Sequence, residues 1–241
     1  MLVEVCANSL QSALNAQEAG ADRIELCSEL GVGGITPSYG LIQSVKERLS
    51  IPIHVLIRPR SGHFTYTKSE LEVMLRDIDF CKEIGVDGIV SGILEPNHTI
   101  NFKATQHLIN RASAMHFTFH RAFDWIPEAD IDFKILEDLN IDTILTSGQN
   151  LTAENGLERL KKWQEQTTIT LMAGSGVNAQ NALRFKKAGL TAIHLSGTGF
   201  QNELVITGKI PMNSTKHLSE HHVAVTNGDI IRQTIHAIAN S

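Results

Sequence analysis

At 241 residues the chain is long enough for a full core in one domain, and its 42% hydrophobic and 20% charged residues fit a globular protein. A net charge of -5 with no basic run argues against nucleic-acid binding, and no apolar stretch approaches the ~20 residues needed to span a bilayer. The N-terminus enters a strand directly, with no basic flank or signal peptide, so the expected compartment is the cytoplasm, where three cysteines stay as thiols.

The first unit sets the plan. Val3-Glu4-Val5-Cys6 and Ile24-Glu25-Leu26-Cys27 repeat one alternating pattern, with Glu and Cys on one side of a strand and the aliphatic pair on the other. Between them Ser9 caps a helix with apolar positions Leu10, Ala13, Leu14 and Ala16, and Gly20 ends it. The junction Gly20-Ala21-Asp22 recurs as Gly85-Val86-Asp87, as Asn140-Ile141-Asp142 and, more loosely, as Gly189-Leu190-Thr191. Each reads as a helix stop followed by a turn into a strand, so the chain is a series of β-α units with a parallel sheet.

Strands are expected near 2–6, 22–27, 52–58, 87–92, 116–120, 142–147, 168–173 and 192–196. Helices fall near 9–19, 37–49, 68–84, 102–114, 130–139, 153–166 and 178–188, with a closing helix near 227–239. Pro37 suits the first turn of the second helix, Thr67 and Glu70 form a capping box for the third, and Asn178 caps the one after strand seven. The stretch 199–226 reads as irregular cover for one end. The fold class is α/β, a single (βα)8 TIM-type barrel over 1–241, whose usual length is ~250 residues. No Gly-x-Gly-x-x-Gly follows strand one, which argues against a doubly wound sheet and a nucleotide cofactor.

Alternation turns Glu4, Cys6, Glu25, Cys27, His54, Arg58, Thr118, His120, His194 and Ser196 inward. Ionisable groups are costly to bury unless paired. The set reads either as a self-compensating network, in which Arg58 and the histidines neutralise Glu4 and Glu25, or as a site. A site is the preferred reading, with Glu4, Glu25, Arg58 and His120 as catalytic candidates and Asp124 orienting His120 or binding a cation. Arg60 reads as a solvated loop charge. Gly174, Ser175 and Gly176 after strand seven, leading to the Asn178 cap, and Ser196 and Gly197 after strand eight form candidate anion loops, where barrels usually hold phosphate.

Cys6 and Cys27, on neighbouring strands offset by about one residue rise, would have Cα atoms ~6 Å apart. Two small buried thiols are the simpler reading of the residues alone; as ligands they suit a soft ion such as Cu(I) better than Ca²⁺ or Mg²⁺. Cys81 lies on the apolar stripe Leu71, Met74, Ile78 and Cys81, so it belongs to packing.

The motifs Val3-Glu4-Val5-Cys6-Ala7, Gly20 to Cys27, Gly33-Gly34-Ile35-Thr36-Pro37-Ser38, Arg58-Pro59-Arg60, Phe119-His120-Arg121-Ala122-Phe123-Asp124, Thr146-Ser147-Gly148 and Ala173-Gly174-Ser175-Gly176-Val177 occur in this order. Together they resemble the CutC family, up to His194-Leu195-Ser196-Gly197-Thr198. The resemblance implies a cytoplasmic (βα)8 barrel named for copper homeostasis, with Cu(I) bound through Cys6 and Cys27, and it supplies no catalysed reaction. Two expectations follow: a copper-binding protein, or a barrel lyase, isomerase or hydrolase acting on a small phosphorylated or carboxylated metabolite. In the second, Glu4, Glu25 and His120 handle protons and Arg58 assists the anion loops. The expected partner is a copper ion or a small anionic metabolite, with no nucleic acid and no membrane; the sequence leaves the oligomeric state open, a homo-oligomer included.

Overall fold

A computed structural model describes residues 1–201, 208–210, 212 and 222–239. Eight parallel strands close in sequential order: β1 (Leu2–Ala7), β2 (Arg23–Leu26), β3 (Ile53–Leu56), β4 (Gly88–Ser91), β5 (His116–Phe119), β6 (Thr143–Thr146), β7 (Thr170–Gly174) and β8 (Ala192–Leu195). The ring shuts where β8 pairs β1, with Glu4 beside His194. The helices are α1 (Leu10–Glu18), α2 (Tyr39–Lys46), α3 (Lys68–Ile84), α4 (Phe102–Ala112), α5 (Ala129–Asp138), α6 (Leu157–Gln164), α7 (Ala182–Lys187) and α8 (Gly228–Ala239). This is the (βα)8 barrel read from the sequence. None of the helices among the described residues is long and apolar enough to cross a membrane.

The repeated aspartates explain the junction motif. Asp22 accepts the Val3 amide at 2.7 Å, Asp87 the Ile53 amide at 2.9 Å and Asp142 the Phe117 amide at 2.8 Å. Each therefore ties the start of one strand to the start of the next, satisfying an amide that the ladder leaves without a partner. In the fourth copy, Thr191 ties the seam through its carbonyl, which accepts the Leu2 amide at 2.7 Å.

Capping follows local chemistry. Ser9, Ser38, Thr67 and Asn101 each accept an amide from the first turn of α1, α2, α3 and α4, and Thr67 with Glu70 makes a full capping box. Pro37 lies before the Ser38 cap rather than within the first turn of α2. Asn178 does not cap α7, which begins at Ala182; its side chain accepts the Gln180 amide in a turn of its own. α6 likewise starts at Leu157, later than the expected 153.

The aliphatic columns of the strands face the helices and merge with the helix stripes in one shell, Trp163, Phe117, Phe119, Phe123 and Phe185 being its largest buried members. The stretch expected to be irregular contains a hairpin of β9 (Thr198–Gln201) and β10 (Val223–Thr226), paired antiparallel. Residues 202–207, 211 and 213–221 of that stretch lie outside the described residues.

Candidate functional site

The barrel interior carries a buried charge network at its β1–β2–β8 side. Glu4 is fully buried and both of its oxygens are engaged: Arg23 Nε donates to Oε2 at 2.5 Å and His194 Nδ1 to Oε1 at 2.7 Å. Burial alone would raise the Glu4 carboxyl, but the His194 hydrogen bond and the Arg23 charge outweigh it and hold it at about 2. His194 in turn is raised well above 6.5: burial opposes its charge, and Cys6, Glu25 and Glu4 together override that. Beside it Gly88 makes room for the buried His54, whose Nδ1 lies 3.9 Å from Glu4 Oε2, since a Cβ on Gly88 would lie 2.7 Å from the imidazole.

In the self-compensating reading Arg58 and the histidines neutralise the two acids; His194 does so at Glu4, but the arginine there is Arg23 and not Arg58. Arg23 is the register partner of Glu4 and shares the inward column of Glu25 and Cys27. The alternation Arg23-Glu25-Cys27 is visible in the sequence and puts Arg23 on the inward face.

Glu25 stands one layer above, lining an open cavity of 1090 Å³ together with Cys6, Cys27, Arg58, His120 and His194. Its Oε2 is buried, lies 3.8 Å from His194 Nδ1 and has no hydrogen-bond partner among the described residues. Burial raises its carboxyl to about 7; His194 and Arg23 pull the other way and Glu4 adds to the rise. Cys6 is the register partner of Glu25, so Cys27 stands two residues further along β2. At ~4.8 Å between strands and ~3.3 Å per residue, their Cα atoms are about 8 Å apart. That exceeds the ~6 Å expected and the ~6.8 Å limit of a disulfide. Cys27 packs against Leu30, Leu56 and Val90, and burial, with Cys6 and Glu25 adding, pushes its thiol far up. Cys81 is buried on α3, as expected, its thiol raised by burial to about 12.

The opposite wall is built by β3 and β5. The Arg58 guanidinium donates to the carbonyls of Val32, Gly34 and Gly62, at 3.0, 2.6 and 2.8 Å, and lies 5.2 Å over the Phe64 ring. It braces the loops around the mouth. His120 accepts the Ala122 amide through Nδ1 at 3.2 Å, and its Nε2 is buried without a partner among the described residues. Burial, with Arg58 adding, lowers it to about 3, so the ring is neutral. Asp124 does not orient it: that carboxylate takes Arg121, Thr146, Ser147 and the Gln149 amide, pinning the β5 and β6 ends together. Arg60 is not a free loop charge, since it pairs with Glu70 at 2.5 Å and caps the carbonyls of Ser61, His63 and Thr65.

The loops after β7 and β8 divide. Ser175, Gly176 and Ser196 line the cavity, whereas Gly174 and Gly197 do not. Those two glycines answer to packing: a Cβ on Gly174 would lie 2.5 Å from the Leu145 side chain, and one on Gly197 2.5 Å from Ile231 of α8. No helix starts at Asn178, so the dipole expected to aid an anion there is missing. The rim includes Phe64, Trp125 and Phe200, which no sequence motif had marked; Phe200 arrives on the hairpin, which covers part of the mouth.

The CutC family model matches residues 1–199. A CutC family protein of Bacteroides fragilis (strain ATCC 25285) is 41% identical over 251 residues, covering 100% of this chain and 98% of that protein. One from Pasteurella multocida is 43% identical over 204 residues, covering 83% and 84%. The crystal structure of a CutC protein from Streptococcus agalactiae, whose name ties it to copper homeostasis, is 33% identical, covers 81% of this chain and 98% of its own, and superposes with a TM-score of 0.78. Barrel, motif order and full-length relatives agree: the chain belongs to the CutC family.

Proposed function

We propose that this protein binds Cu(I) between Cys6 and Cys27 and serves copper homeostasis, the role for which its family is named. The observation that carries the reading is the position of the two thiols, which line one cavity from adjacent strands about two residue steps apart. Thiolates select soft, low-charge ions. The donor set fits such an ion: Cys27 is enclosed by Leu30, Leu56 and Val90, surroundings that disfavour an isolated thiolate and favour one neutralised by a monovalent cation. The His194 imidazolium beside Cys6 offsets the second thiolate. A divalent ion among Glu4, Glu25 and His194, whose ligand atoms lie within 4.8 Å of one another, is disfavoured because Glu4 is already engaged by Arg23 and His194.

The barrel-enzyme alternative required an anion grip at β7 and β8. Two of its glycines serve packing and its helix N-terminus is absent, so the thiol pair is the better supported feature. Anaerobic titration of reduced protein with Cu(I), against a competing chelator, tests the proposal. One tightly held copper per chain is expected, lost in Cys6→Ser and in Cys27→Ser and retained in Cys81→Ser. Equal copper binding in all three variants sinks it.

A further inference from the structure

The two walls of the cavity differ in charge. The β1–β2–β8 wall holds its own compensation, since Glu4 and Glu25 face Arg23 and His194. The β3–β5 wall does not. Arg58 is 5% exposed, it is met by backbone carbonyls, the Phe64 ring and the neutral Tyr66 hydroxyl, and among the described residues no carboxylate lies within ion-pair distance of it. A buried guanidinium without an anion is a costly arrangement in an otherwise well-paired interior. Beside it stands His120, 6% exposed, whose Nδ1 already accepts the Ala122 amide. A neutral imidazole that accepts at Nδ1 carries its proton at Nε2, so His120 holds an N–H donor with nothing in the described structure to receive it.

We propose that this wall binds a small planar organic carboxylate, one oxygen accepting the His120 Nε2–H, the charge balancing Arg58, and the planar body lying against Phe64 and Trp125. The Phe64 ring links these parts: it is 4.8 Å from the His120 ring, 4.9 Å from Trp125 and under the Arg58 guanidinium. Trp125, edge-to-face with Phe64 and His98, is still 47% exposed at the mouth and offers aromatic surface to a flat guest. Size agrees. The cavity of 1090 Å³ is far larger than a bare metal ion needs and lies just above the ~300–1,000 Å³ of organic-ligand pockets. The carboxyl of Glu25 stands on the other wall and leaves this subsite without a competing acid. The inference does not depend on copper, because neither thiol takes part.

The test uses the full reduced chain labelled with ¹⁵N-histidine, with sodium benzoate as the probe and benzamide as its neutral counterpart. Long-range ¹⁵N–¹H NMR at pH 7 should show His120 protonated at Nε2, and benzoate at millimolar concentration should shift that resonance. Benzoate should bind about tenfold more tightly than benzamide. His120→Phe keeps the ring and loses the donor, and should weaken benzoate by about tenfold; His120→Gln, whose amide N–H occupies the position of Nε2, should retain it. Cys6→Ser and Cys27→Ser should bind benzoate as the parent chain does, which separates this subsite from the copper proposal. The proposal is overturned if His120 is unprotonated at Nε2, if millimolar benzoate leaves the resonance unmoved, or if benzoate and benzamide bind alike. The tautomer and benzoate measurements on the parent chain decide the matter even where His120→Phe fails to fold.

Discussion

Arg23 and Glu4 face each other across the β1–β2 register, Nε to Oε2 at 2.5 Å, with both side chains almost wholly buried. Glu4 cannot shed its charge into solvent, and His194 supplies only its other oxygen. Replacing Arg23 by Leu therefore leaves a carboxylate buried with half its partners. Chemical denaturation of Arg23→Leu should show a loss of about 3–5 kcal/mol, the usual cost of breaking one side of a buried pair. The double variant Arg23→Leu with Glu4→Gln should recover part of that loss, because the uncompensated charge is gone. A single variant as stable as the parent would show that the pair does not hold the barrel floor.

Glu25 imposes an opposite pH dependence to the usual carboxylate. Its folded value of about 7 lies above the unfolded 4.5, because burial disfavours its charge. Between those two values the folded chain holds the extra proton, so stability falls as pH rises through that window. Glu25→Gln removes this contribution. Its stability should be flatter than that of the parent from pH 4.5 to 7, and higher at pH 7 by roughly 3 kcal/mol at most. Glu4, held at about 2, works the other way: its contribution is present above pH 4.5 and lost only as pH falls towards 2. Denaturation curves across the range separate the two.

Gly88 is a packing position. Its backbone lies against the buried His54 ring, and an added methyl would come within 2.7 Å of it. Gly88→Ala should cost about 1–3 kcal/mol through overpacking, read as a lower denaturation midpoint. An unchanged midpoint would mean that the imidazole moves aside freely.

The strand-starting aspartates should behave alike although they stand far apart in sequence. Asp22→Ala, Asp87→Ala and Asp142→Ala each strip an acceptor from one amide, that of Val3, Ile53 and Phe117, at the start of β1, β3 and β5. Each should cost about 1 kcal/mol, and the costs should add, as expected for sites with no shared partner.

The barrel was legible because its signals are local. Alternation in Val3 to Cys6, the Gly-x-Asp junctions and the Thr67–Glu70 box each act within a few residues, and strand and helix positions follow from them. The site was legible only where polarity broke the alternation, as at Glu4, Glu25, His120 and His194. The inward face of Arg23 was legible from its alternation with Glu25 and Cys27, but its pairing with Glu4 was not, because pairing depends on register: sequence shows which face a side chain takes and not which neighbour it meets. The same limit produced the expected Arg58 counter-charge, since nothing local tells that its guanidinium turns back to the carbonyls of Val32, Gly34 and Gly62. The β9–β10 hairpin escaped notice because its strands are four residues each and are separated by 21 residues, so no turn motif joins them. Phe64, Trp125 and Phe200 looked like ordinary core or loop aromatics until the ring placed them at one opening.

That hairpin also bears on how the ring stays shut. A sheet that closes on itself has one joint between its first and last strands, here β1 with β8, and it is the joint formed between the most distant parts of the chain. Just past it, Asn8 and Asn15 donate to the carbonyls of Ala224 and Thr226, and the Thr226 amide returns a hydrogen bond to Ser12, all three bonds spanning more than 200 residues. The flap that narrows the entrance is thus fastened to the opening turn of the polypeptide, and α8 follows directly to pack on α7 and α1. The strand that roofs the chamber is therefore held by the same N-terminal segment that makes the joint, so a change that loosens one loosens the other.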